Sequence, residues 1–117
     1  MKIRTKVWLD DDHDKVIFGS GRACMLEEID RLGSMNKAAK EMKMSYRALW
    51  GRIRSTEERV GAKILATSPG GGKTCGSTLT PAGKRLLEKY KLLKERVIKQ
   101  ADREFEEVFG ETSTHGK

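Results

Sequence analysis

The stretch that most constrains how this chain can fold is Ser34–Trp50, where two short helical patterns are separated by only two residues. Ser34 precedes Met35–Met42, Lys43-Met44 follow, and Ser45 opens a second pattern. A serine just ahead of an apolar-periodic run is a helix start signal, because its hydroxyl accepts from a first-turn N–H that would otherwise be unpaired. Helices joined this tightly must cross closely, which requires small side chains at the contact. Ala38 and Ala39 supply them. In the second helix Leu49, Ile53 and Val60 mark the inward stripe, with Ala48 and Thr56 alongside, and the run ends near Gly61.

The flanks complete a recognisable order. Ser20 is expected to cap a helix reaching about Leu32, with Ala23, Leu26, Ile29 and Leu32 turned inward and Gly33 as its stop. Ile64–Thr67 and Ser77–Leu79 read as strands on either side of a glycine-dense loop, residues 68–76. Thr80 caps, and Pro81 begins, a helix running to about Phe109. At the start of the chain Ile3, Thr5, Val7 and Leu9 alternate with polar residues, and Val16–Phe18 is a second short apolar run. Asp10–Asp14 lies between them, so a hairpin with an acidic turn is expected. The chain thus reads as one domain, 1–117, mostly α with small β elements. A β-hairpin spans 1–19, three helices 20–61, a wing 62–79, a long helix 80–109 and a frayed tail 110–117. This is the plan of a winged helix-turn-helix.

The charge distribution suggests a partner. The chain has a formal net charge of +7. Residues 31–85 hold 12 of its 24 Lys and Arg but only 3 of its 17 Asp and Glu, so the excess positive charge sits in that central block. Such a block is the expected footprint of a phosphate-binding surface. With the apolar stripe of the second helix inward, its other side presents Tyr46, Arg47, Trp50 and Arg54. Arg47 can read a guanine edge through two parallel hydrogen bonds. Ser45 and Tyr46 can bond phosphate or a base, and Arg52 and Arg54 are placed to grip phosphates. Trp50 is ambiguous, and the favoured reading is a residue half packed against the first helix. Lys73, at the tip of the glycine loop, would bring charge to the DNA backbone or minor groove. The competing reading is a winged helix used only for protein–protein contact.

The long helix implies a second copy. Leu86, Tyr90, Leu93, Val97, Ala101, Phe105 and Val108 recur every three or four residues, close to coiled-coil spacing. About 28 helical residues span roughly 42 Å, more than so small a domain covers, so the stripe is expected to pair with its equivalent in a homodimer. The alternative is that it folds back on the N-terminal hairpin.

Other chemistries fit poorly. Gly70-Gly71-Gly72-Lys73-Thr74 resembles the end of a phosphate-binding loop, but the first glycine of that motif would fall on Thr67, and a strand follows where a helix is needed. Asp10, Asp12 and Asp14 imitate the opening of a calcium loop, yet Lys15 stands at its glycine position and Gly21 at its bidentate glutamate. Cys24 and Cys75 are far apart, and Cys24 is expected in the core. No metal site, nucleotide site or catalytic constellation is expected, and the chain is read as a non-enzyme. No apolar run is long enough to cross a bilayer, and the N-terminus is no signal peptide, so a cytoplasmic address is expected.

Several of these segments together resemble a known family. Gly21-Arg22-Ala23, Gly33-Ser34, Ala38-Ala39, Met44-Ser45-Tyr46-Arg47 with Trp50, the glycine loop 70–76 and Leu79-Thr80-Pro81-Ala82-Gly83 are similar to the DNA-binding domain of ModE-type molybdate-responsive regulators. More distantly, they are similar to the LysR-type winged helix. The resemblance covers roughly residues 3–100. It implies a dimer that binds an operator with the helix beginning at Ser45. Full-length ModE regulators continue into C-terminal oxyanion-binding domains, for which 117 residues leave no room, so no cofactor is expected here.

Overall fold

A computed structural model describes residues 1–67 and 76–114. The elements are β1 (Leu9–Asp10), β2 (Val16–Phe18), α1 (Ser20–Leu32), α2 (Met35–Glu41), α3 (Tyr46–Val60), β3 (Leu65–Thr67), β4 (Ser77–Leu79) and α4 (Pro81–Phe109). Local chemistry sets the helix limits. The hydroxyls of Ser34, Ser45 and Thr80 accept from the N–H groups of Lys37, Ala48 and Gly83, and Gly33, Gly61 and Gly110 close α1, α3 and α4 in the left-handed conformation. The connector between α2 and α3 is as short as expected. Lys43 takes a positive φ of 55°, and the Met44 N–H donates back to the Ala39 carbonyl at 3.0 Å.

One core serves the three short helices. Leu26, Ile29, Ala38 and Leu49 have no measurable exposure, and Phe18, Ile53, Ile64 and Tyr90 join them. Strand β3 pairs antiparallel with β4, Leu65 opposite Leu79 and Thr67 opposite Ser77. This wing is fixed to α3 by Glu57, whose carboxylate accepts the Ile64 N–H at 2.8 Å and the Leu65 N–H at 3.3 Å. It is fixed to α4 by Gly83, where a Cβ would stand 2.4 Å from the Ile64 carbonyl oxygen, so only a glycine fits.

Several expectations are corrected. The helix α1 starts after Gly19, not after a capping Ser20. The Ser20 hydroxyl instead meets the Tyr90 hydroxyl at 3.0 Å and accepts from Lys94 Nζ. Val60, in the last turn of α3, is 39% exposed, and Cys24 is exposed on the side of α1 that borders a hollow shared with α4. Of the expected first strand, only Leu9–Asp10 pairs with β2. Its alternation has another cause. Residues 1–7 form an extended strap beside α4, with the Tyr90 hydroxyl donating to the Val7 carbonyl at 2.7 Å and the Ile3 N–H donating to Ser113 Oγ at 3.0 Å. Tail residues 110–114 are not frayed. The Met1 α-amino group pairs with Glu111 at 3.0 Å, the Thr114 N–H donates to the Met1 carbonyl at 3.2 Å, and Ser113 is buried. The acidic turn ties itself off, since the Asp11 carboxylate accepts the N–H groups of His13 and Lys15 at 2.8 and 2.9 Å. These bonds, chiefly that from Lys15, hold its pKa below the ordinary value.

The strap changes the account of the long helix. Leu86 packs against the core, and Tyr90, 2% exposed, sets its ring edge-on to Phe18 with centroids 5.2 Å apart. Phe105 is also buried, stacked on Phe109 at 5.1 Å. Tyr90 and Phe105 therefore belong to the protomer interior and are withdrawn from the stripe expected to meet a second copy. Leu93 and Val108 remain exposed, with Val97 and Ala101 half-buried between them.

Candidate nucleic-acid interface

The helix α3 separates its two sides cleanly. Leu49, Ile53 and Thr56 are buried, and the Thr56 hydroxyl donates to the Ile17 carbonyl at 2.6 Å. Ser45, Tyr46, Arg47, Trp50, Arg52 and Arg54 are all exposed. The structure thus leaves all six expected contact residues accessible, at and beyond the capped start of the helix, with Arg52 turned toward the flank of Arg22 and the others away from it. Lys73 lies outside the described residues, as do Cys75 and His115.

Tyr46 and Trp50, each 47% exposed, are large aromatic side chains left in water one turn apart. Trp50 is half covered rather than fully projecting. It lines a hollow beside the wing with Met35, Ile53, Lys63, Leu65 and Thr67. The Arg54 guanidinium lies over the Trp50 ring, 5.6 Å from its centroid, and its Nε is 3.5 Å from a Glu58 carboxylate oxygen. Both contacts are on the surface, where such pairs contribute about 1 kcal/mol or less, so a phosphate can displace them. Among the described residues nothing restrains Arg47 in this way, and it is exposed beside the capped first turn.

The neighbouring elements add cations that the sequence pattern did not single out. Lys37 and Lys40, exposed on α2, line a hollow with Asn36 and Tyr46. The spacing of three residues around the buried Ala38-Ala39 pair was the signal available for them. On the other flank Arg22 of α1 donates to Ser55 Oγ at 3.2 Å and to the Arg52 carbonyl at 3.4 Å, and Arg59 donates to the Val16 carbonyl. Burial lowers the Arg22 pKa, and the nearby charges of Arg59 and Arg52 lower it further. Two guanidiniums, Arg22 and Arg59, held on neutral acceptors with the Arg52 charge nearby, make a flank with a strong demand for anions.

Comparison with known proteins identifies this arrangement. Residues 24–84, more than half of the chain, match the family of bacterial regulatory helix-turn-helix proteins of the lysR type. The chain belongs to this family. The chain is 35% identical over 81 residues to the molybdenum-pterin-binding protein MopB of Rhodobacter capsulatus, covering 69% of this chain and 30% of that protein. It is 36% identical over 72 residues to the transcriptional regulator ModE of Haemophilus influenzae, covering 62% and 28%. The chain therefore spans under a third of the length of these relatives. Among solved structures, the DNA-binding domain of CbnR in complex with DNA aligns with a TM-score of 0.55 at 24% identity, covering 72% of this chain and 91% of that one. DarR of Vibrio fischeri aligns at 0.54 with 21% identity, covering 74% and 28%. These likenesses establish the winged helix-turn-helix fold expected from the sequence. The LysR-type match runs through α1, α2, α3, the wing and the start of α4, so it includes every described residue of the cationic surface from Cys24 onward.

Proposed function

We propose that this chain is the operator-binding part of a transcription regulator, with the first turns of α3 in the major groove of duplex DNA. The observation that carries the reading is the outward side of α3. Its capped N-terminus presents Tyr46, Arg47, Trp50 and Arg54 to solvent together, with no carboxylate in the first turn to repel a phosphate. Arg47 reads a base edge, for which a bidentate pair with guanine contributes roughly 1–3 kcal/mol of discrimination. Arg52, Arg54, Lys37 and Lys40 orient the helix through phosphates, and the wing, with Lys73, lies along the backbone or minor groove.

The working unit is a homodimer joined along α4 through Leu93, Val97, Ala101 and Val108, whose spacing places them on one helix face. Two copies present their α3 helices to half-sites about 34–36 Å apart, or a multiple of that, in a palindromic operator. Nothing in this reading needs a cofactor or a catalytic step. The molybdenum-related roles in the names of the relatives would reside in the two thirds of those proteins outside the matched region.

Selection of bound duplexes from a random library at physiological salt tests the proposal. A palindromic consensus and an affinity that falls steeply with salt are expected, since each neutralised phosphate releases counterions. Recovery of random sequence, or binding indifferent to salt, overturns it and leaves a protein-contact module.

A further inference from the structure

Three glycines lie inside helices, and two of them have a reason within the protomer. Gly83 admits the Ile64 carbonyl, and Gly21 sits in the first turn of α1, where propensity counts for little. Gly51 has neither excuse. It stands in the interior of α3 without a positive φ, is exposed, and an added Cβ there would meet nothing within 4 Å. Glycine weakens a helix interior relative to alanine through its greater backbone entropy. At this position the protomer gains nothing in return.

Its placement supplies the reason. At 100° per residue, Gly51 falls nearly opposite the buried Leu49, Ile53 and Thr56, at the crest of the outward side. Arg47 precedes it by one turn and Arg54 follows by nearly one. Ala48, also on its N-terminal side, is small and exposed, and Ser55 on its C-terminal side is tied to Arg22. Long cations therefore surround a point where the helix backbone itself is bare.

We propose that the missing side chain at Gly51 is a specificity determinant, letting the floor of the major groove, its base edges and thymine methyl groups, approach the backbone of α3. With no Cβ in the way the helix sits deeper, and Arg47 and Arg52 reach past it to base edge and phosphate at once. The inference rests on the DNA-binding reading and makes the bare crest part of base recognition. An apolar partner protein is disfavoured by the surrounding guanidiniums.

Gly51→Ala separates this role from a structural one, because the two effects have opposite sign. The probe is the duplex that the wild-type protein selects from a random-sequence library. The variant is expected to melt a few degrees higher than wild type, to bind that duplex at least about tenfold more weakly, and to keep its affinity for unselected duplex and its salt dependence. The bulkier Gly51→Leu should lose more. Selected-duplex affinity equal to or above wild type in Gly51→Ala overturns the inference alone, as does a lower melting temperature, which would reveal an intramolecular need for glycine. A wild-type protein that selects no sequence overturns the DNA-binding reading, and this inference with it.

Discussion

The helices α3 and α4 are built by the same local rules and left with opposite surfaces. Each is capped by a hydroxyl at its start and closed by a left-handed glycine. The uncovered side of α3 is cationic and aromatic, with Arg47, Arg52 and Arg54 around Tyr46 and Trp50. That of α4 is aliphatic along Leu93, Val97 and Val108. A cationic side is well solvated alone and gains from a polyanion. An aliphatic stripe is held in water at a cost of about 25 cal/mol per Å² and is relieved only by another apolar surface. The chain therefore carries two interfaces for partners of different chemistry, and a change in one should leave the other intact.

The largest test of that separation is Leu93→Glu combined with Val108→Glu. Both positions are exposed in the protomer, 41% and 72%, so folding should persist. The sedimentation mass is expected to drop from dimer to monomer, and affinity for a palindromic duplex to fall about 10²–10⁴-fold as the half-sites lose their linkage. An unchanged mass would remove α4 from the interface. Next in size is Arg47→Ala. It should weaken binding to the selected duplex by roughly 1–3 kcal/mol, with melting temperature and mass as in wild type. A change in mass would show that the two surfaces are not independent.

Tyr90→Phe probes the covered side of α4. It removes the donor to the Val7 carbonyl and leaves the Ser20 hydroxyl with Lys94 alone, so thermal melting should report a loss of about 1 kcal/mol, with DNA affinity unchanged. A neutral result would mean that the strap is held by its apolar residues alone. The smallest effect belongs to the acidic turn. The Asp11 pKa is lowered in the folded chain, so its contribution is present above the ordinary carboxylate range and is lost as pH falls through the folded value. Denaturant midpoints followed into acid should therefore decline less in Asp11→Ala than in wild type. Parallel declines would count against the turn.

Much of α3 was legible in the sequence because its determinants lie within a few residues of one another. Ser45 bonds to Ala48, and the spacing of Leu49, Ile53 and Thr56 sets the inward side, so the outward position of Arg47 and Arg54 followed. The reading failed where partners are distant. Val60 kept the helical period yet is exposed, because period alone does not say where the core ends, and Cys24, one residue off the buried stripe of its helix, is exposed as well. Ile3, Thr5 and Val7 alternate as a strand would, but their support is a helix rather than a ladder. Periodicity detects one covered side and is silent about what covers it.

The sequence by itself determined where α2, α3 and α4 begin, where glycines close α1, α3 and α4, that two of the helices form a tight pair, and that the second carries guanidiniums outward. Those features depend on capping bonds and side-chain spacings internal to short segments. Only the tertiary structure decided that Tyr90 and Phe105 belong to the protomer while Leu93 and Val108 face solvent. It also showed that Glu57 anchors the wing and that Gly51 leaves the crest of α3 bare. The covering of α4 depends on contacts such as Val7 with Tyr90 and Ile3 with Ser113, separated by 83 and 110 positions. Contacts so remote form only when the whole chain has closed around one core, and no local pattern encodes them.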